Sequence, residues 1–65
     1  MEALRQWQRG DRLRNSFTDE TGKVARLVRH SPVHHPTVII AHDKGGVTAG
    51  AQEALQQQGW IKTDG

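Results

Sequence analysis

Thr37-Val38-Ile39-Ile40-Ala41-His42-Asp43-Lys44-Gly45-Gly46-Val47-Thr48-Ala49-Gly50 is the stretch whose reading decides the fold. It opens with the only sustained apolar run of the chain, Val38 to Ala41. β-Branched residues in a short run read as a buried strand. Asp43-Lys44-Gly45-Gly46 then breaks the strand, because paired glycines accept backbone angles that other residues resist. Thr48 is a good helix N-cap, and Ala51 to Gln58 is helix-forming until Gly59. The centre of the chain therefore reads as strand, glycine turn, helix. Residues 37–42 are expected to be the central, most buried strand, so Ile39→Ala should cost roughly 2–5 kcal/mol.

Working outward, Met1 to Arg9 reads as a short helix with Ala3, Leu4 and Trp7 on one face. Gly10-Asp11 is a turn. Arg12 to Phe17 alternates weakly as a strand. Thr18 to Lys23 is a polar cluster with one glycine and reads as a hairpin loop. Val24 to His30 is ambiguous: Val24, Leu27 and Val28 have helical spacing, but the β-branched content after a turn favours a strand. Ser31 to Pro36 holds both prolines and must be a loop. Trp60-Ile61-Lys62 is a last short strand. The expected fold class is α+β: one domain over residues 1–65, with a small antiparallel sheet, a short N-terminal helix and a helix at about 48–58.

Sixty-five residues support only a small core. With no cysteine, neither a disulfide nor a thiolate metal site is available, which fits a cytoplasmic protein. A homodimer is one stabilising route left to such a chain. No apolar run approaches a membrane span, and Glu2, Arg5 and Arg9 replace the apolar core of a signal peptide. The net charge of +2 is unevenly placed. Residues 1–30 carry seven cations against four acids, a balance of +3, whereas residues 31–65 balance to −1. Six of the nine cations are arginine, suited to forked contacts with phosphate or carboxylate.

Gly10-Asp11-Arg12-Leu13-Arg14, then Gly22-Lys23-Val24, then Thr37 to Ile40 with Asp43 and Gly45, resembles the pattern of small SH3-like barrels of the KOW type over residues 10–46. The resemblance implies a partial barrel in which a Gly-Asp turn opens the first strand. Gly10 to Arg14 is also similar to the opening of the type II plasmid-borne dihydrofolate reductases. Their Val-Gln-Ile-Tyr active-site stretch is absent, so that activity does not carry over. Lys44-Gly45-Gly46-Val47 resembles part of the deviant Walker A motif of ParA-like ATPases, but Thr48 and Ala49 stand where that family needs glycine and lysine.

His30, His34, His35 and His42 fall within thirteen residues. Only the first three are expected to meet, and without cysteine or a loop carboxylate no metal site is expected. His42-Asp43 is no catalytic pair, because strand neighbours point to opposite faces. No nucleophile accompanies them, so no enzyme activity and no cofactor are expected. A helix start at Gly45, Gly46 and Thr48 would be a weak anion site. Two function classes stay open. The first is a nucleic-acid-binding or regulatory domain using Arg12, Arg14, Arg26 and Arg29, of which at most three can share a face. The second is a protein–protein inhibitor or adaptor, of the sort small phage and plasmid genes encode, with Trp7 and Trp60 as interface residues.

Overall fold

The structure is a computed structural model that describes residues 6–30 and 35–63. Strand β1 spans Arg12–Asn15, β2 Thr21–Val28, β3 Thr37–His42 and β4 Val47–Ala51. Helix α1 follows at Gln52–Gln57, and β5 at Trp60–Lys62. The strands form one antiparallel sheet in the order β4-β3-β2-β1-β5. The sheet curls into a half-barrel with α1 on its concave side. No helix among the described residues is long and apolar enough to cross a membrane.

Alternation along the strands explains the core. Leu13 on β1, Val24 on β2, and Val38 and Ile40 on β3 all turn to the concave face and are buried. Leu55 of α1, Trp60 of β5 and Trp7 fill the remaining space. Trp7 is tied there by its backbone N–H, which donates to Gln52 Oε1 at 2.8 Å. Helix α1 ends where the chain needs a left-handed residue: Gly59 has φ +105°, and its N–H reaches Gln56 O at 3.0 Å.

One irregularity sets the whole outer surface. In the β2–β3 ladder Val24 pairs with Ile40 but Arg26 pairs with Ile39, so Ala25 is the extra residue of a β-bulge. A regular strand would put Val24 and Arg26 on one face. The bulge instead turns Val24 and Leu27 inward and Lys23 and Arg26 outward. The three-residue spacing of Val24 and Leu27, which in sequence resembles a helix, is the spacing of a bulged strand.

Several expectations are corrected. The small antiparallel sheet is present, but the fold is mostly β with one 6-residue helix among the described residues, so the α+β class is not what is seen. Residues 48–51, expected to open the helix, are strand β4. Their ladder with β3 outweighs the weak strand propensity of alanine and glycine. The expected N-terminal helix lies outside the described residues over 1–5, and Gln6 to Arg9 are not helical. Strand β3 is internal, but the middle strand of the sheet is β2. Ile39 faces outward and is half-buried, while Ile40 carries the burial. Of the expected loop 31–36, residues 31–34 lie outside the described residues.

Candidate nucleic-acid interface

Directly paired residues of neighbouring strands share a face, so the register fixes where the cations stand. Arg12 lies opposite Lys23, and Arg14 opposite Thr21. Leu13 and Asn15 are buried, so Arg12 and Arg14 project from the convex face. The bulge at Ala25 returns Arg26 to the face of Lys23. Arg12, Arg14, Lys23 and Arg26 therefore line the outer side of two adjacent strands, all exposed. Arg29 is exposed but lies beyond the end of β2, outside the ladder. Lys23 was hidden from sequence reading because it follows Gly22 in the polar cluster. No sequence signal marks it, because the exposed-buried alternation that begins at Thr21 has glycine, not an apolar side chain, at its first buried position.

Two acids partly offset this charge. Arg12 Nη2 lies 3.1 Å from Asp43 Oδ2, which also accepts a 2.6 Å bond from Thr21 Oγ1. Arg14 Nη1 lies 2.8 Å from Asp19 Oδ1. Both pairs are solvent-exposed, and such pairs are worth about 0–1 kcal/mol, so an incoming anion can compete for either arginine. Among the described residues, no ion pair engages Lys23 or Arg26. The outward positions of β3 and β4 named by the register are uncharged: Ile39 and Ala41 on β3, and Val47, Ala49 and Ala51 on β4.

The other candidate residues are placed differently from expectation. Trp7 and Trp60 are 3% and 2% exposed, so both rings belong to the core and offer no surface to a partner. Gly45 and Gly46 form the β3–β4 turn, with φ +107° and +90°. Thr48 sits on β4, its Oγ1 2.6 Å from His42 Nε2. The helix begins after Ala51, so these residues form no helix N-terminus, the feature on which an anion site there was expected. His42 points inward, its ring 5.4 Å from that of Trp60, and Asp43 points outward to Arg12. His30 Nε2 is 2.9 Å from Thr37 Oγ1, His35 is exposed, and His34 lies outside the described residues. Among the described residues no cluster of histidines and carboxylates could hold a metal ion.

Searches against protein-family models, curated proteins and solved structures find no match to this chain.

Proposed function

We propose that the domain binds nucleic acid through the outer face of β1 and β2, with Arg12, Arg14, Lys23 and Arg26 contacting phosphate. The observation that carries this reading is the bulge at Ala25, which adds Arg26 to a face where Arg12 and Lys23 already stand directly opposite. Like charges opposed across a ladder repel, and a bound phosphate relieves that repulsion. Within this reading the domain is an SH3-like half-barrel of the KOW type. The curled five-stranded sheet and the Gly10-Asp11 turn before β1 support that resemblance.

The test is fluorescence anisotropy with labelled DNA and RNA, begun at about 50 mM salt, where electrostatic association is easiest to see. Affinity should fall steeply and linearly with salt on logarithmic axes, and replacing Arg12 and Arg14 by glutamine should flatten that slope. Absence of any salt-dependent binding rejects the reading.

A second reading, contact with a protein or with another copy of the chain, has one observation of its own. Strand β4 is an edge strand without charge, proline or bulge, the features that usually block edge pairing. His42 N–H donates to Gly46 O at 3.0 Å, so pairs 42/46, 40/48 and 38/50 carry the ladder bonds. The backbone groups of Val47 and Ala49 then project outward, where a partner strand could join. Ala49→Pro removes one of these donors while sparing the β3 ladder. It should abolish any self-association or partner capture through this edge and leave the fold intact.

A further inference from the structure

Phe17 is the only phenylalanine of the chain and is 74% exposed, the most exposed large apolar side chain among the described residues. A single exposed apolar residue is ordinarily unremarked surface. Three features set this one apart. Its loop is rigidly built: buried Asn15 accepts the backbone N–H groups of Phe17 at 2.8 Å and Thr18 at 3.0 Å, and donates from Nδ2 to Gln58 O at 3.1 Å. Backbone bonds from Asn15 N to Glu20 O and from Asp19 N to Asn15 O close the same loop. The ring also lies against Gly59: a Cβ there would come within 2.9 Å of Phe17 Cγ and Cδ2. Finally, Asp19 stands at φ +66° in the same loop, the only described non-glycine residue with positive φ, a conformation that Asp accepts in tight turns and that fixes the path of the chain.

The loop carries two acids of its own, Asp19 and Glu20, and adjoins the basic face through one ion pair. Arg14 reaches into it to meet Asp19, two residues from Phe17. On the other side Arg14 is opposite Ile61, which is itself exposed. A ring seated against Gly59 thus stands in the loop that follows Arg14 and Asn15 at the end of β1.

We infer that Phe17 is a stacking platform for an unpaired base, so that the ligand of this face is a single-stranded nucleic acid. The inference rests on the nucleic-acid reading and deepens it. Bases in a duplex are stacked on one another and withheld from a surface ring, whereas a single strand can lay a base on Phe17 while its phosphates follow the cations. Any base has a π-face, so the site selects strandedness and not sequence.

The experiment compares short labelled oligo-dT, oligo-rU and a DNA duplex of equal length by anisotropy at low salt. The DNA and RNA arms distinguish the two sources of the same ligand chemistry. The wild type should prefer the single strands. Phe17→Leu keeps an apolar contact to Gly59 but loses the ring, and should weaken single-strand binding about 5- to 150-fold, the span of stacking contributions per base. Duplex binding should not change, and Phe17→Trp should restore the single-strand affinity. Unchanged emission from buried Trp7 and Trp60 reports an intact fold in the leucine variant. Single-strand binding of Phe17→Leu within about twofold of wild type, or an equal loss on duplex, overturns the inference while leaving the basic-face reading standing. A wild type that binds none of the probes removes both.

Discussion

Val24 and Arg26 are separated only by Ala25 yet point to opposite faces of β2, Val24 into the core and Arg26 into solvent. The bulge between them lets one strand serve two demands: it keeps Val24 and Leu27 inward, and it aligns Arg26 with Lys23 across from Arg12.

If that alignment matters, Arg26→Glu should weaken nucleic-acid binding and lower the slope of log affinity against log salt by about 1 or more. Stability should stay within about 0.5 kcal/mol, because the side chain is exposed. Arg29→Glu, beyond the ladder, should do clearly less. Equal effects of the two substitutions, measured by anisotropy over a salt series, would show that total charge and not the shared face determines binding.

Burial on β3 separates its two isoleucines. Ile40 is fully buried, so Ile40→Ala should cost about 2–5 kcal/mol. Ile39 lies half-exposed on the convex side, and its truncation should cost distinctly less. Urea titrations of the two variants decide the point; a larger loss at Ile39 would mean that β3 presents the other face to the core.

Gly22 is required by close approach and not by its backbone angles. A Cβ there would stand 2.5 Å from Ala41 O and 3.1 Å from Ile40 Cγ2. The neighbour at 2.5 Å is backbone and cannot swing aside, so β2 and β3 must separate. Gly22→Ala should destabilise by roughly 1–3 kcal/mol, the range of overpacked cores. A thermal melt unchanged from wild type would contradict the register of β2 against β3.

Among the described residues Asn15 is the one buried polar side chain, and it holds the β1–β2 loop to the turn before β5. Asn15→Leu strands two N–H groups and one carbonyl, and each unpaired buried group costs about 1–3 kcal/mol. A loss of roughly 2–5 kcal/mol is expected, with faster hydrogen exchange at Phe17 and Thr18. Protection at those two amides equal to that in wild type would mean that the loop does not depend on Asn15.

How much of this was legible in the chain can be read from its elements. The apolar run Val38 to Ala41 located β3 from Thr37 to His42, because a buried strand leaves a continuous β-branched signal. Gly10-Asp11 and the glycine pair after Asp43 marked turns, and Trp60 to Lys62 marked β5. Alternation alone set Arg12 and Arg14 on one side of β1. The tertiary structure decided the rest. Residues 48–51 have helix-compatible composition, and only pairing with β3 makes them strand β4. Trp7 and Trp60 suit an interface as readily as a core, and only the packing of α1 over the concave face buries them. Arg26 could not be assigned to a face from its spacing, because a bulge is a property of two paired strands and its three-residue spacing in one strand is the same as a helix's. The basic face therefore exists through register, which depends on residues far apart in the chain, and local sequence carries the residue types but not their alignment.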